Sequence, residues 1–260
     1  MSESKITLKT IHELLPAPDQ LSNYWIPSYQ RGYRWTNLQV TQLLEDILEF
    51  TKRQNPKQDE FYCLQPIVVK ENPDNYEVVD GQQRLTTIFL ILRHFNERLS
   101  EKYRQQLFTL GYETRQNLLD FLDNQTHELI DSNADFHHLS LATKAIEKWF
   151  SDKGNLVEEV KATLLNKTKI IWFQLSEHDN PVDAFTRLNV GKIPLTNDEL
   201  IRALFLKRSN FEGFDAEERS IQIAHEWDQL EKALQTDAFW YFLSNKPPSQ
   251  NRIGFLFELI

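Results

Sequence analysis

The run Tyr76-Glu-Val-Val-Asp-Gly-Gln-Gln-Arg-Leu-Thr-Thr-Ile88 constrains the fold more than any other stretch of this 260-residue chain, because the hydrophobic period changes inside it. Val78 and Val79 close a short β-prone run. From Leu85 onward, Leu85, Ile88, Phe89, Leu92, Phe95 and Leu99 recur at helical spacing. Asp80, Gly81, Gln82, Gln83 and Arg84 therefore stand where a chain leaves a sheet and opens a helix, a place where first-turn N–H groups and the helix dipole favour anions. Gly81 permits positive φ or close backbone approach. The two glutamines bring donors and acceptors, Arg84 brings a fork suited to phosphate, and Asp80 brings a carboxylate able to orient a water, a metal or a sugar hydroxyl. An ordinary turn with Arg84 paired to a nearby acid would explain an arbitrary Asp-Gly-x-x-Arg. Two successive glutamines wedged between apolar elements favour a phosphate or nucleotide pocket.

The rest of the chain supports one large domain or two small ones, since 40% apolar residues with 12% aromatics fill a real core. No apolar run has the length of a membrane span, and Met-Ser-Glu-Ser-Lys lacks the regions of a secretory signal. The expected location is cytoplasmic, with no membrane partner. Cys63 is the only cysteine, which excludes a disulfide framework and a Cys-based zinc site. The net charge of −9 falls mostly after residue 100, so the chain has no global attraction for DNA.

Patterning then predicts the elements in order. Ile6 to Leu15 is a weak amphipathic segment ended by Pro16 and Pro18. Thr36 and Gln39 are spaced as a capping box ahead of the apolar stripe Val40, Leu43, Leu44, Ile47 and Leu48. Phe61 to Val69 and Tyr76 to Val79 read as a hairpin, with Pro66 marking an edge or a bulge. Helices are expected over Tyr103 to Leu110, Arg115 to Leu122, Leu139 to Phe150 and Leu156 to Leu165, and one added strand over Lys169 to Leu175. Asn180 and Pro181 open another helix, Thr196 and Glu199 cap a further one, and Ile221 to Leu234 marks an amphipathic helix. The apolar end from Arg252 to Ile260 reads as a chain that continues into a C-terminal domain. The fold class is thus α+β: a small mixed-sheet unit over residues 1–100 carrying the motifs, then a mainly helical region over 101–260 with one added strand.

Two further constellations accompany the opening run. Ile26-Pro-Ser-Tyr-Gln-Arg-Gly-Tyr-Arg-Trp35 sets Gln30, Arg31 and Arg34 beside an aromatic wall, either as plain core packing or as a grip on a base and its phosphates. Ala184 to Ile201 joins two helices by a turn built on Asn189 and Gly191, with Asp198 and Glu199 after it; helix termination alone explains most of it. Taken together, Ile-Pro-x-Tyr-Gln-Arg-x-Tyr-x-Trp, Val-Asp-Gly-Gln-Gln-Arg-Leu-Thr-Thr and Phe-x-x-Leu-Asn-x-Gly-x-x-x-Leu-Thr-x-x-Glu-Leu-Ile resemble the GmrSD-type restriction endonuclease N-terminal domain over roughly residues 10 to 260.

The resemblance implies a fold similar to ParB and sulfiredoxin at the N-terminal end, followed by helices. It implies binding and hydrolysis of a nucleoside triphosphate, with Mg2+ as an accompanying ion, inside a modification-dependent or phage-defence system. DNA would be met through a C-terminal nuclease domain or a partner, and oligomerisation is left open. The expected catalytic residues are Asp80, Gln83 and Arg84. The expected nucleotide-binding residues are Gln30, Arg31, Arg34, Gly81, Gln82, Gln83 and Arg84, with Asn189, Gly191 and Asp198 as a secondary motif and no resident metal. Gln30-Arg31 and Asp80 to Arg84 are expected to face one cavity, and Arg84 to face the surface with little effect on stability. Alternatives are a sensing module that binds nucleotide or DNA without turnover, and a DNA-nicking domain. No Walker loop and no His-Asn-His nuclease pattern is present, and His137 and His138 read as surface residues.

Overall fold

The computed structural model describes residues 4–18, 20–53, 59–115, 117–124, 126, 130, 134–189, 201–202, 205–206, 216–244 and 252–258. Two compact units interleave along the chain. The first comprises Met1–Ile26, Tyr33–Gly111 and His138–Asp179, the second Pro27–Gly32, Tyr112–His137 and Asn180–Ile260. The class is α+β.

The first unit is built on a mixed sheet. Its strands are β1 (Lys5–Thr10), β2 (Asn23–Ile26), β3 (Tyr62–Glu71), β4 (Tyr76–Asp80), β5 (Thr109–Tyr112) and β6 (Thr168–Gln174), in the order β1-β6-β3-β4-β2-β5. The expected hairpin is β3 and β4, antiparallel with Val69 opposite Val78. The added strand is β6, parallel to β3 and antiparallel to β1. Pro66 sits inside β3, a central strand, and its missing N–H is absorbed by a break in the β3–β6 register between Leu64 and Ile67. Of the two explanations for Pro66, the bulge holds and the edge does not.

Two stretches differ from their expected form. Ile6 to Leu15 is not one amphipathic segment: it divides into β1 and a 3-10 turn over His12–Leu14, because Lys5 to Thr10 finds a strand partner in β6. Tyr103 to Leu110 is not helical. A 3-10 turn over Glu101–Tyr103 gives way to extended chain and β5, whose Thr109 N–H donates to the Ser22 carbonyl. Its aromatic and aliphatic residues serve the sheet, where Phe108 packs edge-on against Tyr24 with ring centroids 5.0 Å apart.

Helix α1 (Asn37–Thr51) opens at the anticipated capping box. Thr36 Oγ1 accepts from Leu38 N–H, and Gln39 Oε1 accepts from Thr36 N–H at 2.8 Å. It packs on the helix Val157–Asn166, which in turn covers β6. Helix α2 (Gln82–Glu97) is buried almost all round, with Leu85, Ile88 and Ile91 fully buried. Each such side chain contributes about 1.5–3 kcal/mol by leaving water, so α2 fixes whatever its first turn carries.

In the second unit, Asn180 caps the helix Pro181–Asn189 by accepting from Val182 and Asp183 N–H groups. Further helices among its described residues run over Leu118–Asp123, Ala216–Gln235, Asp237–Leu243 and Gly254–Glu258. His137 and His138 lie within the helix Ala134–Asp152, His137 exposed and His138 half-buried. Thr196 and Glu199 lie outside the described residues.

Candidate functional site

The turn from β4 to α2 has the geometry its sequence requires. Gly81 adopts φ +91°, the left-handed region, and serves as the N-cap of α2. A Cβ there would also lie 2.9 Å from Ile67 Cγ1 and 3.0 Å from the Pro66 carbonyl oxygen. Glycine is demanded twice, by conformation and by space. Gly81 has no side chain with which to cap α2, and the first turn of the helix holds no acidic residue. The positive end of this 16-residue helix is set at the buried residues Gly81, Gln82 and Gln83.

Gln83, although buried, is aimed back along the chain. Its Oε1 accepts from the backbone N–H groups of Arg34, at 2.8 Å, and Trp35, at 3.1 Å. One turn on, Thr87 Oγ1 donates to the Gln83 carbonyl and shares a 2.8 Å hydrogen bond with the buried Tyr33 hydroxyl. The segment Tyr33-Arg34-Trp35 is thus stapled to the first turns of α2. Arg34 is half-buried there, its Nη1 donating to the Tyr33 carbonyl.

Arg84 corrects the expectation of a surface-facing guanidinium. Nη1 donates to the carbonyls of Gln65 and Pro66, at 3.1 and 2.7 Å, and Nη2 donates to Gln65 Oε1 at 2.7 Å. These carbonyls are released by the β3 bulge, which explains why a charged fork turns toward the strand. Burial pulls the Arg84 pKa below its ordinary value, and the Asp80 carboxylate opposes that shift. Asp80, half-buried at the end of β4, thus sets a negative charge beside the turn.

Among the expected site residues, the first unit therefore brings together Arg34, Asp80, Gly81, Gln82, Gln83 and Arg84, with Gln82 buried at the start of α2. Gln30 and Arg31 belong to the second unit, where Gln30 is buried and Arg31 exposed. Asn189 ends the helix Pro181–Asn189, while its side chain, Gly191 and Asp198 lie outside the described residues. The sequence marks Pro66 as an edge or a bulge, Gln65 as off pattern and Tyr33 as part of an aromatic wall, but it does not show that these residues and Thr87 hold the turn in place.

Among the described residues no helix is long and apolar enough to cross a membrane. No curated protein matches the chain at a significant level. Residues 11–206, a span that holds all of the Asp80 to Arg84 turn and the Tyr33 to Trp35 segment stapled to it, match the family described as GmrSD restriction endonuclease, N-terminal domain. The chain belongs to that family, and with it to a restriction endonuclease system.

Proposed function

We propose that the chain is the nucleotide-binding module of this restriction system and that it hydrolyses a nucleoside triphosphate. The observation that carries the reading is the opening of α2 on a left-handed glycine, with no acid in its first turn and Arg34 stapled alongside by Gln83. An anion placed there meets the helix dipole and a nearby guanidinium, interactions of about 1 kcal/mol or somewhat more each. In this reading Arg34, Gly81 and Gln82 hold phosphates and Asp80 orients the attacking water. Gln83 and Arg84 shape the turn. Among the described residues no three His, Cys, Asp or Glu side chains gather as a metal cage. A Mg2+ that arrives with a triphosphate needs only one or two carboxylates beside phosphate oxygens and water, a need Asp80 meets.

A second reading has its own observation. The side chains of Gln83 and Arg84, both expected to be catalytic, are held by structural partners, which suits a module that binds nucleotide and regulates a nuclease acting on DNA without turnover. Titration of the purified chain with each nucleoside triphosphate plus Mg2+, following both binding and phosphate release, separates the two. Hydrolysis predicts phosphate release that Asp80→Asn abolishes while binding persists. Sensing predicts binding without release. Arg34→Ala should weaken binding about tenfold, roughly 1.4 kcal/mol. Folded wild-type chain that binds no nucleoside triphosphate saturably would sink both readings.

A further inference from the structure

The second unit contains a buried ionic cluster assembled from distant parts of the chain. Arg115, Asp135 and Arg202 are 7%, 2% and 3% exposed. Asp228, whose side chain is 9% exposed, divides its carboxylate between the two arginines: Oδ1 accepts from Arg202 Nη1 at 2.9 Å, and Oδ2 accepts from Arg115 Nη2. Arg115 is further fixed by its Nη1, which donates to the Thr114 carbonyl, and by Asp135 Oδ2, 3.0 Å from its Nε. The Asp135 carboxylate closes on Gly32 so tightly that a Cβ there would lie 1.9 Å from Oδ2. Both acids of the cluster are therefore already committed.

One edge is left over. Nε and Nη2 of Arg202 are buried and meet no acceptor among the described residues. These are the two donors of the side-on face of a guanidinium, which point in parallel and match two oxygens of a single oxyanion. A buried donor without an acceptor is costly, and native interiors seldom keep one for no purpose. Two guanidiniums against two carboxylates make the cluster neutral, so a small, singly charged oxyanion suits it better than a highly charged one.

We propose that the Nε/Nη2 edge of Arg202 is the receptor for a small oxyanion of the phosphate or carboxylate type, bound within the second unit. Asp228 and Arg115 hold the guanidinium in place, and the Arg202 fork takes the ligand. The site is independent of the nucleotide reading, since every residue it uses lies in the second unit.

The test follows the arginine Nε–H resonances of the 15N-labelled full chain while inorganic phosphate and, separately, acetate are added. The expected result is a saturable shift of one resonance that is missing from the Arg202→Lys spectrum. Arg202→Lys keeps a charge facing Asp228 but has no fork, and should bind at least about tenfold more weakly. A response to phosphate alone assigns the phosphate type; an equal response to acetate assigns the carboxylate type. If Arg202→Lys does not fold, linking the wild-type Nε–H to the Arg202 backbone amide gives the same assignment. An Arg202 Nε–H unmoved by either anion, or an Arg202→Lys chain that binds as tightly as wild type, overturns the proposal.

Discussion

Gly81 and Arg84 serve the same few atoms of β3 from opposite directions. Gly81 lets the chain pass within contact of Pro66 and Ile67, and Arg84 then binds the carbonyls that the bulge leaves open. Gly81→Ala should destabilise the fold by about 1–3 kcal/mol from backbone strain alone, with the clash against Ile67 added. Arg84→Ala should cost about 1.5–3 kcal/mol, because charge-assisted bonds are lost and two carbonyls are left unmet. Urea unfolding of both variants checks this, and an Arg84→Ala midpoint equal to wild type would return Arg84 to the surface role read from sequence. Leu85→Ala, which empties a fully buried site, calibrates the scale at about 2–5 kcal/mol. The sequence made Gln83 and Arg84 conspicuous. It could not show which way they point, because Arg84 turns to a bulge nearly twenty positions earlier and Gln83 to backbone N–H groups nearly fifty positions earlier.

Elements with their own local signals were legible, and those that depend on distant partners were not. Thr36 and Gln39 announce the start of α1 through a capping box that any three-residue spacing reveals. Thr36→Ala should lower stability by about 1 kcal/mol, and Thr36→Ser should restore most of it, measured by thermal unfolding. The hairpin, β6 and the helix after Asn180 were legible for the same reason. β1 and β5 were not: the alternation of Ile6 and Leu8 in Lys5–Thr10 runs on into Ile11, Leu14 and Leu15 and passes for a helical face, and the four residues of Thr109–Tyr112 are too few to show a period, so both strands are set by pairing with β6 and β2. Arg115, Asp135, Arg202 and Asp228 were missed likewise: no spacing along the chain links them, only the folding of the second unit does.

At the scale of the whole molecule, acid should act through a few groups with separate windows. Glu13 is held below its usual pKa chiefly by the Thr10 backbone N–H, and Glu45 chiefly by Lys153, so their contributions are kept above 4.5 and fade only in stronger acid. His94 titrates earlier. It lies on α2, its ring stacked on Phe150 with centroids 5.1 Å apart and 16° between planes, and its Nε2 is buried without an acceptor among the described residues. Burial first, and then the charge of Arg98, push its pKa below the ordinary 6.5, while Glu97 pulls the other way. The unfolded chain therefore binds the His94 proton more readily than the folded chain, and folding stability falls as pH drops below 6.5 toward the depressed folded value. Over the same range the net charge of −9 shrinks and self-repulsion eases, which opposes the loss. Comparison with His94→Phe separates the two, because phenylalanine keeps the stack on Phe150 and removes the proton. Denaturant midpoints measured from about pH 8 to about pH 5, the range in which histidine titrates, should stay parallel above 6.5 and diverge below it, the wild type losing stability relative to the variant. Curves that remain parallel throughout would mean that His94 is as well solvated in the folded chain as in the unfolded one, and that its place against Phe150 carries no penalty for charge.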